Sequence, residues 1–253
     1  MSRIALVTGA GSAEGIGFAI ARHLAEQGMT VALTSTTDRC RERAAQLVAD
    51  GHRAVAFAAD LTDRAQVVRL HASVLDAVGV PLVLVNNAGM TSVVDPMPES
   101  RRTDLVDPAD WLRLLERNVL PAHLVTHALL PDMVAARHGR IVTIASTTGV
   151  TGAMVGESAY ATAKAGLVGF TRALAVEYAR DGITANAVAP GWIATASQTD
   201  DERRQGLATP AGRSGTPDEI AHMVAALCAD AAGYITGQCI VIDGGNAVAE
   251  ERA

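Results

Sequence analysis

Aromatic side chains are nearly missing from this 253-residue chain, with three Phe, three Tyr and two Trp making 3%. A core of any size must therefore be built from Ala, Val, Leu and Ile. Cysteine is equally sparse. Cys40, Cys228 and Cys239 are scattered and odd in number, which fits reduced core thiols and argues against a disulfide frame or a cysteine zinc site. Charged residues make up 19% against 49% apolar, the opposite of a disordered composition. No basic run interrupts the net charge of −6, so nucleic acid and anionic membrane are poor partners. No window approaches 18 apolar residues, and the stretch in MSRIALVTG is too short for a signal peptide. A soluble cytoplasmic protein is expected. Repeats, linkers and low-complexity segments are missing too, so residues 1–253 are expected to form one domain.

What is present is an alternation of short apolar runs and helical patterns. Ile4–Thr8 reads as a first strand. Gly9, Gly11, Gly15 and Gly17 follow, and from Gly15 a helical pattern with Ile16, Ile20 and Leu24 on one face runs to Gly28. Strand, glycine loop and helix together bring backbone N–H groups and a helix N-terminus up to a phosphate. Glu14 sits oddly in such a loop and is expected to point outward. A second strand, Thr30–Ser35, leads into a charged helix from about Asp38 to Ala49. Its end carries Ser35, Thr36, Asp38 and Arg39 rather than an acid at the strand terminus. Hydroxyls and arginines suit the 2′-phosphate of NADP(H), which is preferred. Asp38 could still take the ribose hydroxyls of NAD(H), and that alternative stays open.

A third strand, Ala54–Ala58, ends in Asp60 and Leu61; a helix runs from Thr62 to about Val78, and a fourth strand, Leu82–Val85, runs into Asn86-Asn87-Ala88-Gly89. Continuous apolar strands alternating with helices argue a doubly wound parallel sheet. Thr91 to Asp107 is irregular and proline-bearing. A long helix from Ala109 to about Arg137, expected to break at Pro121, carries Asn118, His123 and His127. The two histidines lie four apart, but no further ligand stands beside them and no metal site is expected. Arg140–Ser146 reads as a fifth strand, Glu157 to about Arg180 as a helix closed by Gly182, and Thr184–Ala189 as a sixth strand leading to Pro190-Gly191-Trp192-Ile193-Ala194-Thr195. Residues 196–212 read as a polar lid. Thr216-Pro217-Asp218-Glu219 is a capping box with Pro at N1, opening a helix to about Cys228, and Cys239–Ile242 is a last strand.

Tyr160 and Lys164 stand four apart, so a helix puts them on one face, one turn apart. A free Tyr with a pKa of about 10 is a poor acid or base at neutral pH. An ammonium beside it favours the phenolate and lowers that pKa, which makes Tyr-x-x-x-Lys a sensible proton-transfer pair. Ser146 ends the apolar run IVTIAS, where its hydroxyl could bond a substrate oxygen.

Five features stand in fixed order: TGAGSAEGIG at 8–17, Asp60, NNAG at 86–89, Ser146 with YATAK at 160–164, and PGWIAT at 190–195. Together they resemble the short-chain dehydrogenase/reductase family over essentially the whole chain. The resemblance implies a Rossmann-type α/β fold with a seven-stranded parallel sheet between helices, and a homotetramer or homodimer in which the helix from 109 and the Tyr160 helix form one interface. It implies a catalytic tetrad of Asn118, Ser146, Tyr160 and Lys164. Tyr160 would act as general acid or base, Lys164 would lower its pKa and hold the nicotinamide ribose, Ser146 would polarise the substrate oxygen, and Asn118 would keep a water in the relay. The implied cofactor contacts are Gly9, Ser12, Gly15, Ile16 and Gly17 in the loop and Ser35, Thr36 and Arg39 after the second strand. Asp60 and Leu61 would lie by the adenine, Asn87, Ala88 and Gly89 by the adenosine ribose, and Pro190, Gly191, Ile193 and Thr195 after the sixth strand, the last two at the nicotinamide amide. Two spacings depart from the family: the glycine loop is two residues longer than TGxxxGIG, and the Ser-to-Tyr gap of 14 is one longer than usual, so Val150–Glu157 should bulge.

The tail from PAGRSG to IDGG and RHGRIVTIAS at 137–146 are most similar to bacterial 3-oxoacyl-acyl-carrier-protein reductases, which implies reduction of a 3-oxoacyl thioester-like ketone in fatty acid biosynthesis. Relatives acting on secondary alcohols, sugars and steroids share this ending. Of two basic positions that such reductases present to the carrier protein, Arg137 matches, but the second falls on Asp181. That departure, with the net negative charge, argues against docking an acidic carrier. The insertion at 95–107 lies near the expected substrate entrance. A non-catalytic dinucleotide-binding regulator is the rival from another class, and the complete Asn, Ser, Tyr and Lys set argues against it.

Overall fold

In a computed structural model, residues 3–89 and 101–250 are described. The irregular stretch expected at 91–107, and with it the first part of the 95–107 insertion, lies outside these residues up to position 100. The elements are β1 (Ile4–Thr8), α1 (Ile16–Glu26), β2 (Thr30–Ser35), α2 (Arg39–Ala49), β3 (Ala54–Ala58), α3 (Arg64–Val78), β4 (Val83–Asn86), α4 (Pro108–Ala136), β5 (Gly139–Ile144), α5 (Ser158–Tyr178), β6 (Ile183–Pro190), α6 (Asp200–Leu207), α7 (Pro217–Cys228) and β7 (Cys239–Ile242). The seven strands form one parallel sheet in the order β3-β2-β1-β4-β5-β6-β7.

Alternation along each strand sorts the aliphatic residues between the two faces. Ala5, Val7, Val83, Val85 and Val142 join the core under α1, α2 and α7, with Phe18, Ile20, Leu24, Leu47 and Val224. Leu6, Leu84 and Ile141 join the core on the other face, with Leu70 of α3, Leu129 and Met133 of α4 and Leu174 of α5. Both faces of the sheet are thus covered. This is the physical reason its strands read as unbroken apolar runs. The order reverses between β1 and β4, and a crevice opens there at the strands' C-terminal ends.

Several boundaries differ from the sequence reading. α4 runs unbroken through Pro121 and Pro131. Pro121 is buried, and packing against α5 and the sheet outweighs the roughly 3 kcal/mol a helical proline costs. An 18-residue window of this helix reaches a mean hydropathy of 1.3, the apolar run the sequence reading passed over, and it packs as a core helix beside α3 and α5. α3 starts after Asp63, whose carboxylate accepts from the Ala65 and Gln66 N–H groups, while Thr62 turns back to bond Asp60. β5 ends at Ile144, two residues short of Ser146. The stretch expected as a polar lid contains α6, opened by a full capping box of Thr199 and Glu202. Residues 147–157 form a looped turn in which Gly149 N–H donates to the Gly152 carbonyl at 2.7 Å, and Met154 and Val155 are pushed into solvent.

Candidate active site

The glycine loop is built against β4. Thr8 ends β1 with its hydroxyl donating to the Val85 carbonyl at 3.2 Å and accepting from the N–H groups of Asn87 and Ala88 at 2.9 and 3.0 Å. Asn87 returns the clamp: its Nδ2 donates to the carbonyls of Thr8 and Gly9 at 3.0 and 3.1 Å. Gly9 adopts φ +68°, which a side chain would strain. Gly15 caps α1 with no side-chain bond and no acid follows in the first turn, so the helix end keeps its orphan N–H groups and positive dipole for an anion. Glu14 is exposed, as expected. A Cβ on Gly17 would lie 2.6 Å from the Gly9 carbonyl oxygen and 2.5 Å from Asn87 Nδ2. Gly17→Ala is therefore expected to destabilise the fold by about 1–3 kcal/mol, read as a shift in the urea midpoint, because backbone cannot yield as a side chain can.

At the end of β2, Ser35 Oγ donates to the Thr37 carbonyl at 2.6 Å and Arg39 Nε donates to Thr37 Oγ1 at 3.2 Å. Asp38 pairs instead with Arg41 at 2.8 Å and is mostly exposed. Ser35, Thr36 and Arg39 line the crevice, and Asp38 is not among its lining residues. Asp60 also lines it, with Oδ1 accepting from the Thr62 N–H and hydroxyl.

The crevice is a cleft of about 1420 Å³. Its lining takes in Gly9, Ser12, Gly15, Ile16 and Gly17, then Leu61, Asn87, Ala88 and Gly89. At the other end stand Ser146, Tyr160 and Lys164, with Pro190, Gly191, Ile193 and Thr195 after β6. One expected residue is set back. Asn118 is fully buried behind Gly89, its Nδ2 donating to the Leu114 carbonyl at 2.9 Å.

Ser146 hydrogen-bonds the Tyr160 hydroxyl. Lys164 is buried, with Nζ donating to the Ile144 carbonyl at 3.1 Å and lying 5.5 Å from the centre of the Tyr160 ring. The expectation that this ammonium lowers the phenol's pKa is not met. Burial pushes Tyr160 up to about 12, against the lowering effect of the Ser146 bond and with the charges of Glu157 and Glu202 adding to the rise. Burial also brings Lys164 down to about 8, since an ammonium loses its hydration there as well. Desolvation is the leading cause of the shift on both members of the pair.

The site contains residues that motif reading missed. Thr8, the first residue of TGAGSAEGIG, was read only as part of that motif; its hydroxyl ties the glycine loop to β4. Met154 and Glu157 of the 147–157 turn and Glu202 of α6 also line the cleft, and no local pattern announces Glu202 there. His123 and His127 stack ring on ring with centroids 6.0 Å apart, and no group of three metal-binding side chains occurs among the described residues. Arg137 lies 3.8 Å from Asp181, so the basic position expected to meet a carrier protein faces an internal acid.

Three comparisons bear on this cleft. A family model described as enoyl-(acyl carrier protein) reductase matches residues 9–247. The 3-oxoacyl-[acyl-carrier-protein] reductase FabG of Escherichia coli is 40% identical, over 96% of both chains. The chain belongs to the short-chain dehydrogenase/reductase family. Within it, the (2S)-[(R)-hydroxy(phenyl)methyl]succinyl-CoA dehydrogenase subunit BbsD of Thauera aromatica is 38% identical, over 98% of this chain and 97% of its own. A crystal structure of a single-residue variant of the actinorhodin polyketide ketoreductase with NADPH superposes with a TM-score of 0.88, at 34% identity over 98% of both chains. As a member of this short-chain family the protein is an NAD(P)-dependent oxidoreductase acting between CH–OH and C=O.

Proposed function

We propose that the chain reduces the ketone of a 3-oxoacyl thioester to a secondary alcohol with NADPH. The observation that carries this is the Tyr160 hydroxyl, which lines the cleft bonded to Ser146, with Lys164 one helical turn away and its Nζ 5.5 Å from the ring centre. Two hydroxyls meeting at a cleft suit proton donation to a carbonyl oxygen. The other end of the cleft fits a phosphorylated dinucleotide: a cradle of glycines that a Cβ would fill, an uncapped helix N-terminus, and Arg39 in place of a strand-terminal acid. The relatives named above act, by their descriptions, on oxoacyl, hydroxyacyl or polyketide groups.

The cofactor, when bound, supplies the hydride. Tyr160 gives its proton to the carbonyl oxygen as charge builds there, and Ser146 donates a hydrogen bond to the same oxygen. Lys164 would hold the nicotinamide ribose and stabilise the tyrosinate left behind. Asn118, bonded to the Leu114 carbonyl within α4, would hold a water that returns a proton. Ile193 and Thr195 would orient the nicotinamide amide. The experiment is turnover of acetoacetyl-N-acetylcysteamine, cyclic ketones and sugars with each cofactor. Preference for a sugar or steroid alcohol with NAD would replace this reading, and binding without turnover would make the chain a dinucleotide-binding regulator.

The protein is further expected to be a homotetramer or homodimer. The outer side of α5 leaves Ala165, Ala173 and Val176 exposed, Val176 at 84%. A helix apolar on more than one face is matched by a second partner. Light scattering at micromolar concentration is expected to give a multiple of 26.2 kDa; a monomer at that concentration would refute it.

A further inference from the structure

Arg213 and Glu219 do not line the cleft, yet they close a ring around a residue that holds its wall. Arg213 Nη1 donates to Glu219 Oε2 at 2.9 Å and Nη2 donates to Oε1 at 2.6 Å. Nη1 also donates to the Ser214 carbonyl at 3.1 Å. Glu219 Oε2 accepts in addition from the Thr216 N–H at 2.7 Å and the Thr216 hydroxyl at 3.3 Å, as the cap of α7. A capping box is served equally by Gln at this position. The forked pair with Arg213 is what the carboxylate adds.

Gly215 lies inside this ring and pairs with Ile193 in a parallel bridge outside the seven-stranded sheet. Its N–H donates to the Trp192 carbonyl at 2.9 Å, and its carbonyl accepts from the Ala194 N–H at 2.8 Å. The approach is close: a Cβ at 215 would lie 2.9 Å from Ile193 Cδ1 and 3.5 Å from Glu219 Oε2. The same ring reaches α6 and the segment before it. Ser214 Oγ accepts from Gln198 Nε2 at 2.8 Å, and the Arg213 carbonyl accepts from Thr209 Oγ1 at 3.2 Å. Trp192, Ile193 and Thr195 line the cleft beyond the end of β6. Among the described residues, the main-chain bonds that tie 192–195 to a distant segment are the two to Gly215.

We infer that Arg213 and Glu219 are positioning residues for the nicotinamide end of the cofactor. Their pair fixes Gly215, and Gly215 fixes the Trp192–Thr195 segment at the cleft wall. The inference rests on the reading that Ile193 and Thr195 meet the nicotinamide amide. E219Q keeps the cap and loses the ion pair. R213Q loses it from the other side, and R213K keeps the charge without the fork. With side chains 57% and 43% exposed, the pair contributes little to global stability, so melting temperatures should stay within about 4 °C of wild type.

Without the pair the segment holds its binding position for only part of the time, and apparent affinity falls by that fraction. Calorimetric titration is expected to show NADPH binding weakened about 5-fold in E219Q and R213Q, and less in R213K. The double variant should be no worse than either single one, because both remove one interaction. Adenosine 2′,5′-bisphosphate, which lacks the nicotinamide half, should bind every variant as it binds the wild type. NADH and ADP replace the two probes if the wild type prefers NADH. T195V removes one hydroxyl from the segment itself and should also weaken NADPH alone. If T195V weakens NADPH while E219Q and R213Q do not, the inference falls and the reading of Thr195 stands. If E219Q weakens both probes equally, the pair acts on the whole fold and the inference falls. If T195V leaves NADPH binding unchanged, the reading of the segment falls and takes the inference with it.

Discussion

Replacing Tyr160 by Phe is expected to lower kcat/KM for ketone reduction about 10²–10⁴-fold, the contribution of a positioned general acid. The fold should survive, because a single hydroxyl is lost and its partner Ser146 keeps a solvated cleft to face. Retention of near wild-type rate would remove Tyr160 from the mechanism. Lys164→Ala should cost both rate and cofactor affinity; an effect on rate alone would separate the lysine from the ribose. The sign of the pH dependence also follows from burial. With the phenol pushed up to about 12, reduction has its proton donor in place at neutral pH, whereas alcohol oxidation needs the tyrosinate and should accelerate as pH rises. Lys164 is the one lysine in the sequence, so reagents specific for amines report on it and the N-terminus alone. Its ammonium, brought down to about 8, should be lost within the same alkaline range, and protection of Lys164 from such a reagent by NADPH measures cofactor contact directly.

The second large effect is a reversal of cofactor preference. A charge-assisted bond from Arg39 to a 2′-phosphate is worth about 1.5–3 kcal/mol, a preference for NADPH of roughly 10- to 150-fold. Arg39→Ala should remove it and leave NADH nearly unaffected. Introducing Asp at position 36 should go further, by adding repulsion to the 2′-phosphate and an acceptor for ribose hydroxyls. Position 36 is the cleaner site. Thr36 is exposed and lines the cleft, whereas Ser35 is buried and its hydroxyl is committed to the Thr37 carbonyl, so Asp at 35 would also perturb the loop. Values of kcat/KM for NADH and NADPH on one ketone decide the matter. If NADH is the better cofactor of the wild type, the Arg39 assignment is wrong, even though Asp38 pairs with Arg41.

Strand and helix order was legible because the sheet is covered on both faces and the strands are continuous aliphatic runs between glycine and polar breaks. The capping box at Thr216–Glu219 and the C-terminal glycines at Gly28 and Gly182 were legible for a local reason: caps and left-handed turns are chosen by neighbouring residues. The motifs at Gly9–Gly17, Asn87–Gly89 and Tyr160–Lys164 likewise carry their spacing in the chain itself. Pro121 was misread as a break because propensity is local, whereas the packing of α4 against α5 and the sheet is not.

The sequence by itself determined the alternation of strands and helices, the family, and many of the residues that line the cleft. Tertiary structure alone decided the electrostatics of the reaction. In sequence Tyr160 and Lys164 are an ammonium beside a phenol, and spacing predicts a lowered pKa. In the fold both are desolvated, Lys164 turns to the Ile144 carbonyl, Glu157 adds negative charge from the start of the same helix, and Glu202 adds it from α6. Burial and charge from distant parts of the chain set a pKa, and neither is a property of residues four apart on one helix.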